Sequence, residues 1–392
     1  MNHSTCNTGH RPAAGLLGLA LLAVLALVPA QAAMIGPENP SGYEVWALDQ
    51  GTNIVYVYND DHQLVDEIDL GHYGVQTPHM IAFNSTHEYA AIASTGSGDV
   101  TIIRTEDRYV VDIIETGPRT HMASFTPDDS AIIVDVIGSP DRDWDGEIVE
   151  IAADLDNERF SSGLGRSLVI AEDPLFRANQ DRFGDSGPIC HEYGPGGTHA
   201  FITLGPGLGN GGLVVLNTET FELDHVFGTE ELPVNCGTVP TADRDYMLLT
   251  AGSDEHGHYY VLDTETMEIV FDGDSHGIDA HGAWLTADGS EFWLVNRVSD
   301  NGVIIDAETF EVTDHFDELG GTPDIMAVSP FGHFFYVSLR GPNPRSAAHV
   351  AYGETPGFSI LSTVDGSLVD VIQPDAGNPD SDFHGLGVRY IP

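Results

Sequence analysis

Along residues 278–296 the chain passes through a polar lead-in, Ile278-Asp279-Ala280-His281-Gly282, and a short apolar run, Ala283-Trp284-Leu285. A Thr286-Ala287-Asp288-Gly289 turn then leads to a second apolar run, Phe292-Trp293-Leu294-Val295. Short apolar runs bounded by Gly, Asp and Thr read as β-strands joined by a tight turn. The grammar recurs. Pro78-His79-Met80-Ile81-Ala82-Phe83 leads through Asn84-Ser85-Thr86-His87 into Tyr89-Ala90-Ala91-Ile92-Ala93. Thr120-His121-Met122-Ala123-Ser124-Phe125 leads through Thr126-Pro127-Asp128-Asp129 into Ala131-Ile132-Ile133-Val134. Matching Thr198-His199 to Thr86-His87 without gaps, at an offset of 112 (198 − 86), puts His191 where His79 stands. The same exercise lands on Cys236, Asp324 and His384. One structural slot therefore holds His79, His121, His191, Cys236, His281, Asp324 and His384.

Successive slots lie 42, 70, 45, 45, 43 and 60 residues apart. A repeat of this length, with two insertions, fits a four-stranded propeller blade. The outer hairpins repeat as well: Val303-Ile304-Ile305-Asp306-Ala307-Glu308-Thr309-Phe310 matches Val214-Val215-Leu216-Asn217-Thr218-Glu219-Thr220-Phe221. Tyr43-Glu44-Val45-Trp46-Ala47-Leu48 and Ile54-Val55-Tyr56-Val57-Tyr58 supply later strands of a blade without a first strand, and residues 383–391 supply a first strand alone. The expected fold is all-β: one domain, residues 34–392, forming a seven-bladed β-propeller of four-stranded antiparallel blades. Its ring closes by pairing of the N-terminal strands with the C-terminal strand.

The repeats resemble those of YVTN-type seven-bladed propellers, in which Pro-His-Gly or Pro-Asp precedes an apolar strand and Ser-Pro-Asp-Gly forms the first turn. The resemblance covers nearly all of the chain after residue 33 and implies the fold; such propellers host many activities. In an up-and-down blade, the start of the first strand and the loop between strands two and three share one rim. The long pieces, residues 138–146, 205–212, 253–258 and 340–357, fall on that rim with the slots, as does part of 156–187. Long loops on a rigid scaffold are where binding sites concentrate.

First strands line the channel, so slot residues converge on its mouth. Neutral imidazole and thiolate bind zinc and copper, and carboxylate can complete the set. The ring is thus a candidate copper or zinc site. Asp279 and Asp382 stand two residues before His281 and His384, on the same side of a strand, as candidate partners that fix imidazole tautomers. Nitrous oxide reductase, thiocyanate dehydrogenase and the methanethiol oxidase group are similar in architecture and hold copper at a histidine-lined channel mouth; one class of periplasmic zinc chaperones is also a propeller. That similarity implies a channel-mouth metal and no particular reaction. The expected function is a metal-dependent oxidoreductase or a metal carrier, acting on a small molecule or with a metal-delivery partner. For an enzyme, copper redox chemistry is favoured over lactone hydrolysis, whose propeller sites use carboxylates and Asn around calcium. The alternative is a metal-free scaffold that binds protein or glycan on the long-loop rim, its histidines hydrogen-bonding channel water.

Three smaller groups stand out. Asp254-Glu255-His256-Gly257-His258, with His276 and His349, offers a second histidine group on the same rim, usable for metal delivery. Asp141-Arg142-Asp143-Trp144-Asp145-Gly146 has the first half of a calcium loop, with Asp141, Asp143 and Asp145 as ligands, although Ala152 stands where a bidentate Glu is expected. Cys190 and Cys236 fit either a disulfide, which export favours, or a free metal-ligating thiol.

Composition adds the setting. Residues 15–28 are an apolar run behind Arg11, and Ala30-Gln31-Ala32 is a cleavage signal. The run is shorter than the about 20 residues that span a bilayer. A signal peptide over residues 1–33, cleaved near Ala32, and a periplasmic or extracellular location are expected, with no membrane span afterwards. All 14 basic residues are arginine against 61 acids, a net charge of −47. Nucleic acid is repelled by such a surface, and salt is needed to screen its self-repulsion; the pattern is that of a halophilic, acidic protein. No Gly-x-Ser-x-Gly motif, phosphate loop or dinucleotide fingerprint is present, and nothing in the sequence points to nucleophilic catalysis.

Overall fold

In the computed structural model the described residues are 37–392, apart from 38, 206–210, 254 and 348–350. The expected signal peptide lies outside them, as do Asp254 and His349. The described residues form a seven-bladed β-propeller of antiparallel sheets. Blade one joins Phe383–Ile391 to Gly42–Asp49, Ile54–Asn59 and Leu64–Asp69, so the two ends of the chain close the ring. The inner strands of blades two to seven are Pro78–Phe83, Thr120–Phe125, Gly187–Tyr193, Thr238–Pro240, Ala280–Leu285 and Pro323–Val328. In blade three the outer place is shared by Arg159–Ser161 and Ser167–Val169, both paired with Glu147–Asp154. No described helix is long and apolar enough to cross a membrane.

Each blade packs between two others, which is why second strands such as Tyr89–Ser94 and Ala131–Val136 are buried along their whole length. A strand covered on both faces reads as a continuous apolar run and not as an alternation. Seven apolar clusters result, one at each junction between blades. The recurrent Thr-x-Asp turn also has a local cause. Thr126 Oγ1 donates to Asp128 Oδ1 at 2.7 Å, and that oxygen accepts the Ser130 N–H at 3.1 Å. Thr241 with Asp243 and Thr286 with Asp288 repeat the arrangement.

At the slot the inner strand bulges. Register shifts enclose His79, His121, His281, Asp324 and His384 in five blades. A bulge re-aims a side chain. The residue after the slot is glycine in three blades because the next blade's slot carbonyl sits against it: a Cβ on Gly282 would meet Asp324 O at 2.0 Å, and one on Gly385 would meet His79 O at 2.4 Å.

Blade four corrects one expectation. Ile81 lies opposite Ile92 and His191 opposite Ile202, so the true offset between these blades is 110 (191 − 81) and the Thr-His match falls two residues late. The bulge there encloses Ile189, not His191.

Candidate metal centre at the channel mouth

The slot brings six of the seven expected residues together, with Ile189 in the place of His191. The His384 ring stacks on His79 with centroids 3.7 Å apart, and His79 Nε2 faces His121 Nε2 at 3.0 Å. Across the ring, Cys236 Sγ is 3.4 Å from His281 Nδ1, which is 3.1 Å from Asp324 Oδ1. His384 Nε2 lies 3.7 Å from Asp324 Oδ2. Ligand atoms of His281, Asp324 and His384 all fall within 4.8 Å of one another. Apart from half-buried His121, these side chains are buried.

Hydrogen bonding fixes the tautomers. His121 Nδ1 faces the Ile189 carbonyl at 2.7 Å, and His384 Nδ1 faces the His79 carbonyl at 3.0 Å. A carbonyl only accepts, so both Nδ1 atoms carry the proton. His79 Nδ1 faces Gln50 Oε1 at 2.8 Å. That amide cannot be turned over, because its Nε2 donates to Asp382 Oδ2 at 2.9 Å. In the neutral state, then, the Nε2 atoms of His79 and His121 both carry lone pairs and lie 3.0 Å apart, the two rings meeting edge-on with centroids 4.3 Å apart. A proton between them would relieve this, but burial pushes both imidazoles below their ordinary range. Burial does the same to His384. These are neutral imidazoles with free lone pairs, the form that binds a metal.

The expected partners of His281 and His384 are placed otherwise. Asp279 accepts from Arg297 Nε at 2.7 Å. Asp382 accepts from Arg340 Nε at 2.8 Å and from the Gly341 and Arg345 N–H groups. Asp279 precedes a bulge, with φ of 67°, so counting by twos fails at that point. Asp382 still orients a ring of the site, but it is His79, through Gln50. Arg340 Nη1 also donates to Asp324 Oδ2 at 2.7 Å, and Arg297 Nη1 lies 3.6 Å from Asp324 Oδ1. Burial, the largest influence, raises the Asp324 carboxyl; the charges beside it, the Arg340 and Arg297 guanidiniums among them, hold it well below the usual carboxylate range. Sequence reasoning missed Gln50, Arg297 and Arg340. Each is the first residue after its blade's second strand, Gly42–Asp49, Glu291–Asn296 and Phe334–Leu339. Two arginines at one blade position, in a chain with 14, were the available signal.

His191 stands deeper, fully buried, with Nδ1 2.7 Å from Asp135 Oδ2 and Nε2 2.7 Å from Ser124 Oγ. Both its nitrogens are engaged away from the ring. The two cysteines are free, their sulfurs 3.9 Å apart, so no bridge joins them here. The hydrogen bond between them holds the Cys236 thiol well below its ordinary range and pushes Cys190 well above. In the expected calcium loop, Asp145 turns back to accept from Ser139 N and pairs with Arg142. Asp141, Asp143 and Asp145 form no compact ligand group among the described residues. His256 and His258 face each other with ring centroids 4.7 Å apart, and His276 lies against His315.

No family model matches the chain, and no curated protein matches it in sequence. Among solved structures it is similar to hydrazine synthase of Kuenenia stuttgartiensis, with 14% identity and a TM-score of 0.56 over 73% of this chain and 86% of that one. It is also similar to the periplasmic gluconolactonase of Pseudomonas aeruginosa, with 15% identity and a TM-score of 0.64 over 90% of this chain and 100% of that one. At such identities the likeness is one of fold.

A cavity of the channel lies beyond the histidine ring. It begins at Met80, Met122 and Ile325, immediately beyond three slot residues, and widens to the opposite rim at Thr126, Thr241 and Trp284. Its volume is about 250 Å³.

Proposed function

We propose that this protein is an exported, salt-adapted β-propeller that holds copper or zinc at its channel mouth, as a metal carrier or a metal-dependent oxidoreductase. One contact carries the reading: the adjacent Nε2 atoms of His79 and His121, 3.0 Å apart with both Nδ1 atoms committed. A single ion bonded to both at about 2.0–2.1 Å would see them at an angle of roughly 95°. That is nearer the tetragonal geometry of copper(II) than zinc's tetrahedron. His281, Asp324 and His384 form the compact ligand group beside this pair, Cys236 stands next to His281, and Gln50 holds the His79 ring. Lactone hydrolysis, which the name of one fold neighbour suggests, stands beside this reading with equal support from the comparisons.

The test uses mature protein loaded separately with copper and with zinc in molar salt, dialysed, and measured by elemental analysis. Wild type should retain metal, and His79→Ala and His121→Ala should each lose it. His333→Ala, exposed beside the Ser329 turn of the opposite rim, should retain it. A wild type without metal, or equal loss in His333→Ala and His121→Ala, would sink the reading.

A further inference from the structure

His191, displaced from the slot, completes a different constellation. Asp135 Oδ2 accepts from His191 Nδ1 at 2.7 Å, which fixes the proton on Nδ1 and leaves Nε2 as an acceptor. Ser124 Oγ therefore donates to Nε2, also at 2.7 Å. Asp135 and His191 are fully buried, whereas Ser124 keeps 8% exposure and lines the channel cavity. Three strands supply the residues: Ser124 from Thr120–Phe125, Asp135 from Ala131–Val136 and His191 from Gly187–Tyr193. The Tyr193 hydroxyl donates to the Ser124 carbonyl at 3.2 Å and lies 3.5 Å from Ser124 Oγ, so it holds the serine's backbone beside the histidine. Nucleophile, base and orienting carboxylate in hydrogen-bond sequence are the geometric signature of an activated serine.

We infer that Ser124, His191 and Asp135 form a nucleophilic site in the channel wall that cleaves short, uncharged carboxylic esters or lactones. The cavity is smaller than the about 300–1,000 Å³ of drug-sized sites. Its lining includes the apolar Met122, Ile81 and Leu386, with Glu192 paired to Arg244, and the net charge of −47 disfavours anionic substrates. Ser124 Oγ bonds to the substrate carbonyl carbon while its proton passes to His191 Nε2. The adduct collapses by breaking the C–O bond to the leaving oxygen, which takes that proton. Water, deprotonated by the same nitrogen, then cleaves the Ser124 acyl ester. It releases the carboxylic acid and restores the serine, so ester and water give acid and alcohol. Asp135 is a positioning residue that holds the Nδ1 proton and balances the imidazolium.

The site is independent of the metal ring, and its test separates the two. Mature protein in molar salt is treated with a fluorophosphonate probe, with and without prior chelation, and the adduct is located by peptide mass. Hydrolysis of p-nitrophenyl acetate and of a six-membered lactone is measured alongside. Ser124 should carry the adduct in both preparations, and Ser124→Ala should neither label nor exceed the buffer rate. Asp135→Asn should slow labelling by about 10⁴-fold through the wrong tautomer. It should also abolish the low-field NMR line of the His191–Asp135 proton, which Ser124→Ala keeps. An unlabelled wild type, an adduct elsewhere, or labelling that chelation abolishes would each overturn the inference.

Discussion

Arg340→Met tests whether the buried charges around the ring balance as the geometry says. The guanidinium has no exposure and bridges Asp324 and Asp382 at 2.7 and 2.8 Å. Methionine keeps much of the stem volume, so the loss is one of charge. Asp382 retains Gln50 and the Gly341 and Arg345 N–H groups, whereas Asp324 retains His281 and the more distant Arg297. Removing one partner of a buried ion pair costs about 3–5 kcal/mol. At about 2–4 °C per kcal/mol for domains of 150–250 residues, the midpoint of metal-free protein should fall by roughly 6–20 °C, nearer the low end for this longer chain. The pH dependence has a definite sign. In wild type Asp324 is depressed, so its contribution is present above the unfolded carboxylate value of about 3.9 and is lost only as pH falls through the lower folded value. Without Arg340 its folded value rises and protonation relieves the unpaired charge. The deficit should therefore shrink between about pH 7 and about pH 4.5. Thermal unfolding followed by circular dichroism reads both effects. Asp324→Asn in the Arg340→Met background should recover part of the loss. A pH-independent deficit, or a double variant no more stable than Arg340→Met, would refute the charge argument.

Three further outcomes are expected. Gln50→Ala should weaken copper or zinc binding about 10–100-fold in a chelator competition with little change in melting, because Asp382 keeps four other donated hydrogen bonds; unchanged affinity would count against the tautomer argument. Removing residues 383–392 should strip blade one of its inner strand and unpair Gly42–Asp49, giving association or a lower midpoint; a monomer with wild-type melting would contradict ring closure. With 61 acids against 14 arginines, the midpoint should fall as salt drops from molar to millimolar with divalents removed, and a flat salt profile would dismiss the salt adaptation.

The blades were legible in the sequence because their determinants are local. A continuous apolar run marks a second strand covered on both faces, and Thr126, Thr241 and Thr286 announce first turns through hydrogen bonds that span two residues. The repeat then fixed the number of blades and the closure between residues 42–49 and 383–391. It also located His79, His121, Cys236, His281, Asp324 and His384, since equivalent positions in a repeat reach one place on the axis. What each side chain does there was decided only in three dimensions. A two-residue misalignment in blade four separates a place in the histidine ring from a place beside Ser124 and Asp135, and it was invisible until the pairing of His191 with Ile202 set the register. Asp279 and Asp382 looked like neighbours of histidines by counting, yet bulges and buried arginines redirected them. The contacts on which both proposals rest, His79 with His121 and Ser124 with His191 and Asp135, join separate blades or strands. Sequence repeats specify which residues share a level of the channel. Hydrogen-bond partners supplied by neighbouring blades specify tautomer, charge and reach, and those partners lie far away along the chain.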